Sequence, residues 1–319
     1  MKILLYTPWG NRWKESTSKA FKSMGWETEW TGGEGSTKVP DVIFSMWANE
    51  FVIQVQEHFP LMPMFTYIRH YEAFTTLPQQ IDWYRIKGLF FCSPHVQQIC
   101  NTKWPYLKDV PQYVILNWMD TDEWRLKSDL TPNKKICMIG RLQTVKNFPL
   151  ALQIMKHLPE DYTLDIAGAV QDESLIWYMQ NFLEDNNLLD RVIFHDYVKD
   201  IKGFLQDKTF ILSTSYREGC PMNVLEAMSM GVKPIIHNWF GAKEIFGKYV
   251  WDTIEEAFRL IMGGDYEPRE YREFVQHRHG IENATKVAGI VSELLSDNER
   301  ETGLYLEPGK YSQYGEIRV

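Results

Sequence analysis

Short apolar, β-branched runs alternate with amphipathic stretches along most of this chain, and that alternation constrains the fold more than any other feature. Strands that run the same way need a crossover between them, so the pattern is that of parallel α/β sheets. In the first half, residues 2–6, 41–45, 64–68, 89–92 and 113–116 read as strands. Helices are expected over 14–24, stopped by Gly25, over 49–57, and from Pro94, capped by Ser93. A polar stretch, 117–133, reads as an interdomain linker. The pattern then restarts with strands at 135–139, 163–167, 192–195, 210–213 and 233–236. Helices are expected over 148–158, 173–185, 221–230, 253–262, 268–277 and 281–295. The expected fold class is α/β, with two Rossmann-like domains whose parallel sheets face across a cleft. Residues 1–120 form the first domain, 121–296 the second, and 297–319 a polar tail that packs back on the first.

Length agrees, since 319 residues suggest two domains at roughly 150 residues each. A hydrophobic content of 44% excludes a disordered chain. The net charge of −8 argues against a basic nucleic-acid-binding domain. The charge is uneven. Residues 1–125 carry 12 basic and 13 acidic side chains, and the remainder 22 and 29, so the first half is nearly neutral. Cys92, Cys100, Cys137 and Cys220 form no CxxC pair and read as reduced thiols, which points to a cytoplasmic protein without a zinc site. The opening MKILLYTPWGNRW reads as a first strand rather than a signal peptide. No stretch reaches the ~18 apolar residues of a membrane span, which leaves peripheral membrane contact open.

Ligands of open parallel sheets sit beyond the carboxyl ends of the strands, so chemistry is sought there. Gly140, Arg141 and Lys146 follow the strand KICMI. Glycine permits close backbone approach, arginine offers a rigid fork for phosphate oxygens, and Lys146 adds a second charge. Taken alone, the two cations read first as ordinary charges of a solvated loop. A stronger signal follows the strand at 210–213, in Tyr216-Arg217-Glu218-Gly219-Cys220-Pro221-Met222-Asn223-Val224-Leu225-Glu226. Pro221 is expected at the first helical position. The early helix amides around Asn223 and Val224 then form an anion site suited to a diphosphate. One carboxylate in the loop, Glu218, and one in the helix, Glu226, can each grip hydroxyls.

The spacing of Glu218 and Glu226, within EGCPMNVLEAMSMGVKPII, resembles the E-x7-E region of retaining glycosyltransferases of the GT4 type, the glycosyl transferases group 1, which have the GT-B fold. MIGRLQTVKNFPLAL resembles their donor-phosphate loop, YTLDIAG the next strand and glycine turn, and VIFHDYV the strand and loop near the base. ILNWMDTDEW resembles their interdomain signature, and Asn238 to Glu244 stand where they have a glycine-rich turn and a glutamate. The good match covers about residues 113–247. The resemblance implies that Arg141 and Lys146 hold the donor diphosphate and that Gly140, Cys220, Pro221, Met222, Asn223 and Val224 line its site. Glu226 would take the ribose, Glu218 the transferred sugar, and Tyr197 and Val198 the base. Asp196 and Tyr197 replace smaller residues of the family there. His70, in Tyr67-Ile68-Arg69-His70-Tyr71-Glu72, resembles the family's histidine loop facing the donor sugar. After the first strand the family has a Gly-Gly turn, whereas this chain has Thr7-Pro8-Trp9-Gly10-Asn11 with one glycine. Trp9, Gly10, Trp13 and Trp47 are read as the acceptor side, because strand-end indoles stack well on sugar rings.

The implied activity is metal-independent sugar transfer with retention, from a UDP- or GDP-sugar to the hydroxyl of a carbohydrate or lipid-linked acceptor, with no cofactor required. Asp120-Thr121-Asp122 fits a bare D-x-D pattern but falls in the linker and reads as a turn. His277 and His279 sit on different faces of a helix and make a poor metal pair. Two alternatives stand beside the main reading. One is transfer to a modified nucleic-acid base, as in viral DNA glucosyltransferases, for which Arg12, Lys14, Lys19 and Lys22 speak. The other is a non-catalytic sugar-nucleotide-binding subunit.

Overall fold

The computed structural model describes residues 1–8, 12–32, 39–59 and 62–302. Trp9, Gly10 and most of the polar tail, 303–319, lie outside the described residues. The chain divides into two units, one of Met1–Met119 together with the segment from Ile281, the other Asp120–Gly280. The second domain expected to run to residue 296 therefore stops at Gly280, and the last helix belongs with the first unit.

In the first unit the order is β1 (Lys2–Tyr6), α1 (Lys14–Ser23), β2 (Glu27–Thr31), β3 (Val42–Ser45), α2 (Glu50–His58), β4 (Met64–Ile68), β5 (Ile86–Phe91), α3 (Pro94–Lys103) and β6 (Gln112–Val114). The strands form one sheet in the order β2-β1-β3-β4-β5-β6, and every pairing is parallel. β3 and β4 are buried throughout, as strands covered on both faces must be. Asn49 caps α2 by accepting the Phe51 N–H.

The second unit runs β7 (Lys135–Ile139), α4 (Phe148–His157), β8 (Thr163–Ala167), α5 (Glu173–Asp185), β9 (Val192–Phe194), α6 (Ile201–Leu205), β10 (Phe210–Ser213), α7 (Met222–Ser229), β11 (Lys233–His237), α8 (Ala242–Phe246), β12 (Val250–Trp251), α9 (Ile254–Met262) and α10 (Pro268–His279). Its sheet, also parallel, has the order β12-β11-β10-β7-β8-β9. α4, α5 and α9 bury Leu152, Met155, Met179, Leu183 and Ile261 in one core with Ile136, Leu164 and Trp251. Asp172 caps α5 by accepting the Ser174 and Leu175 amides. α11 (Glu282–Thr302) closes the chain.

Three expectations change. The stretch 117–133 is not a free linker, because Asn117, Trp118 and Met119 are buried in the first unit. The Trp118 indole N–H reaches Ser16 Oγ at 3.0 Å. Further along, Lys127 is buried in the second unit, where its ammonium donates to the Lys208 carbonyl. Pro221 caps α7 from outside instead of opening it, and the helix begins at Met222. β2 and β12 are two strands that the apolar pattern does not announce.

Candidate functional site

A doubly wound sheet has one place where the strand order reverses, and the loops leaving the two strands there open a crevice. In the second unit those strands are β7 and β10. The loop after β7 carries Gly140, Arg141 and Lys146, and the loop after β10 carries Glu218. The fold thus brings the two sequence motifs together. Lys146 Nζ donates to Glu218 Oε1 at 2.6 Å, with both side chains about one-sixth exposed. The Ser215 hydroxyl donates to the same Oε1 at 2.8 Å. The loops are also laced through the backbone. Thr214 Oγ1 donates to the Lys146 carbonyl at 2.8 Å, and the Tyr216 amide to the Val145 carbonyl at 3.2 Å. A left-handed Asn147, φ 51°, turns the chain from this loop into α4.

Gly140 lies under Lys146. A side chain there would meet Lys146 Cε at 3.1 Å, so the lysine stem lies directly over the glycine. Arg141, next in the chain, is exposed and makes no hydrogen bond or ion pair among the described residues. Gly168, just after β8, packs against Gly140 so closely that a Cβ would lie 1.9 Å from the Gly140 carbonyl oxygen.

α7 starts at the crevice, with the amides of Met222, Asn223 and Val224 in its unpaired first turn. The Asn223 side chain donates to the Ile139 carbonyl at 2.5 Å and ties that turn to the end of β7. Glu226 is buried, at 4% exposure, so it is not the ordinary surface residue a helical glutamate usually is. Cys220 is buried with its sulfur 3.8 Å from His279 Nδ1. Sequence reasoning missed Thr214 and Ser215, whose one signal is their place just after a strand.

The loop expected to line the base is divided. A cavity of about 410 Å³ beside it is lined by Gly168, Val170, Ile176, Phe194 and Asp196. Tyr197 and Val198 are not among its walls, and Tyr197 is 74% exposed. His195 instead turns to Asp165, which also pairs with Lys208 at 3.3 Å.

In the first unit the order reverses between β1 and β3. The chain leaving β4 alongside them carries Arg69 and His70. Arg69 is buried, donating from Nε to the Met46 carbonyl at 3.0 Å and from its terminal nitrogen to Asn117 Oδ1. Its guanidinium carbon lies 3.7 Å from the Trp13 ring centre and 4.2 Å from that of Tyr67, with Trp47 and Trp118 at 5.6 Å. This corrects the reading of Trp13 as acceptor surface. Its ring is 7% exposed, its face is taken by Arg69, and its N–H is held by the Trp118 carbonyl at 3.1 Å. Trp47 is half-buried beside Tyr71 and belongs to the same aromatic box. His70 is half-buried with φ 154°, and its ring packs on Phe74 at 5.0 Å.

Among the described residues no group of three or more His, Cys, Asp or Glu is arranged to hold a metal ion. Asp120 and Asp122 form a turn in which Asp120 Oδ1 accepts the Asp122 amide at 2.8 Å. His279 is buried against Phe246 and Phe274. All four cysteines are buried and outside any disulfide, and no described helix is long and apolar enough to cross a membrane.

Two parallel six-stranded sheets of this kind make the architecture called GT-B. Solved structures agree on it. HepE of Anabaena, solved in complex with UDP and glucose, matches with a TM-score of 0.74 over 93% of this chain and 100% of that one, at 16% identity. Sucrose-phosphate synthase of Thermosynechococcus elongatus matches with a TM-score of 0.72 over 93% and 100%, at 13% identity. Residues 120–256, the greater part of the second unit, match the family described as Glycosyl transferases group 1, so the segment with the crevice is the one that carries the family signature. An uncharacterized glycosyltransferase of Sulfolobus islandicus rod-shaped virus 1 is 26% identical over 183 residues, 56% of this chain. That match spans about half of the relative's own length, 53%.

Proposed function

We propose that this chain is a glycosyltransferase that moves a sugar from a nucleotide-sugar donor to an acceptor hydroxyl with retention. The observation that carries the reading is the Lys146–Glu218 pair at the switch point of the second sheet, beside Arg141 and the first turn of α7. Arg141 and Lys146 belong to the loop after β7 and α7 starts from the loop after β10, and two cations with a helix amino terminus are what a diphosphate needs. Arg141 and Lys146 take the diphosphate and stabilise it as it leaves, where negative charge grows in the transition state. The amides of Asn223 and Val224 take the distal phosphate. Glu218, which pairs with Lys146, meets the transferred sugar in this reading, and Glu226 the ribose hydroxyls. His70 contacts the donor sugar, as the family resemblance implies.

In this mechanism the C–O bond to the leaving phosphate breaks as the acceptor oxygen bonds to the same face of the sugar carbon. The leaving phosphate oxygen accepts the acceptor's proton, so no side-chain base is required. The counter-charge comes from the protein's own cations, which supports a reaction independent of divalent metal. HepE was solved with UDP, which makes a UDP-sugar the first donor to test. The acceptor is proposed to be a carbohydrate or lipid-linked glycan.

The test is release of UDP from UDP-glucose, with and without EDTA. Steady release unaffected by EDTA is expected. Removing a transition-state donor costs on the order of 10²–10³ in turnover, so Lys146→Ala and Arg141→Ala should each lose that much while keeping the fold. Near-normal turnover in either variant refutes the phosphate assignment.

A further inference from the structure

The turn that carries His70 is fastened by a side chain to which no role has been given. Glu72 is fully buried, at 0% exposure, two residues beyond His70. Its Oε2 accepts the Arg69 amide at 3.2 Å and the His70 amide at 3.0 Å. On the opposite side, the Cys92 thiol donates to the Arg69 carbonyl at 2.7 Å. The Ala73 amide closes the turn onto the His70 carbonyl at 3.0 Å. Between these ties His70 takes φ 154°, ψ −53°, a conformation that favours glycine and that a histidine holds only where the surroundings impose it. Two consecutive amides aimed at one carboxylate oxygen supply that imposition.

We infer that Glu72 is a positioning residue, which fixes the backbone of the His70 turn and through it the place of the His70 imidazole. The inference deepens the proposed function and rests on it only for the role of His70. The bonds that Glu72 Oε2 accepts from this turn come from main-chain amides. It therefore acts through geometry, and its effect on turnover exists only while His70 is present. Arg69 completes the support, as its guanidinium is itself locked by Met46, Asn117 and the aromatic box.

Two measurements test this. The first is a double-mutant cycle on UDP release from UDP-glucose with His70→Ala, Glu72→Ala and the pair. Glu72→Ala alone should lose at least tenfold, and the pair should be no slower than His70→Ala alone. Independent, multiplying losses would mean a general structural role and overturn the inference. Glu72→Gln, which keeps an acceptor oxygen in place, should stay within about threefold of the parent, and if Glu72→Ala fails to fold, Glu72→Asp with the shortened reach takes its place in the cycle. The second is amide hydrogen exchange at Arg69 and His70, which needs no catalysis. Protection should fall at least tenfold in Glu72→Ala or Glu72→Asp and persist in Glu72→Gln, with helices remote from the turn unchanged. Unchanged protection at both amides overturns the inference whatever the kinetics show. Normal turnover in His70→Ala with lost protection in the Glu72 variants would instead refute the role of His70 and leave the positioning established.

Discussion

The closest packing in the crevice of the second unit makes Gly168→Ala its most informative perturbation. The added Cβ would stand 1.9 Å from the Gly140 oxygen and 2.5 Å from the Gly140 carbonyl carbon. Non-bonded heavy atoms want about 3.5 Å, so one of the two loops must retreat by more than about 1 Å. Both contacted atoms are main chain, so no rotamer change relieves the clash. The retreat strains the bonds that lace the loops, Gly140 N–H to Ala167 O and Leu142 N–H to Ala169 O, each 2.9 Å. Two such bonds are worth about 1 kcal/mol each. Holding alanine at φ 158° adds about 1–3 kcal/mol. The expected loss is therefore about 3–5 kcal/mol, read as a lower urea midpoint for the second unit. The retreating backbone carries Arg141, whose amide nitrogen is 3.2 Å from the same Cβ, so UDP affinity should fall at the same time. A variant that unfolds within about 0.5 kcal/mol of the parent and binds UDP normally would refute the idea that these loops have no room to move.

Other outcomes follow from the same contacts. Burial pushes the Glu72 carboxyl up from its ordinary 4.5 to about 7. A folded-state value above the unfolded one favours folding below pH 4.5 and loses that contribution as pH rises through 7. The shift corresponds to about 3 kcal/mol, so chemical denaturation between pH 5 and 8 should show a decline that Glu72→Gln flattens. Trp13→Ala should destabilise the first unit by about 3–5 kcal/mol, because it empties a buried indole site and uncovers the Arg69 guanidinium. An effect confined to the acceptor KM, with stability unchanged, would restore Trp13 to the acceptor surface. Asn223→Ala removes the bond to the Ile139 carbonyl and should cost about 1 kcal/mol together with a measurable loss of UDP affinity in calorimetry. Unchanged affinity would detach the first turn of α7 from the donor site.

What could be read in advance divides along a physical line. Buried parallel strands announce themselves because both faces are apolar, and β3, β4, β7 and β10 are such strands. β2 was hidden because ETEWT is an edge strand with one fully buried residue, and β12 because two residues carry no period. The meeting of Gly140, Lys146 and Glu218 was legible because they lie in the loops after β7 and β10, neighbouring strands at the reversal of the sheet order. The Trp13–Arg69 stack was not, since the two residues are far apart in sequence and each alone looks like a surface group at a strand end. Glu72 shows the limit most clearly. It stands two residues from a histidine that the motif picks out, in a short 3-10 helix where a glutamate is ordinarily solvated. Its burial, shared with Cys92 and Arg69, comes from elements on either side that no local pattern brings together. The motif therefore marks the side chain that the proposal assigns to the ligand. The residue that holds that side chain in a strained conformation emerges only from packing, and the hydrogen-exchange comparison of Glu72→Gln with Glu72→Ala is where the two kinds of information can be separated.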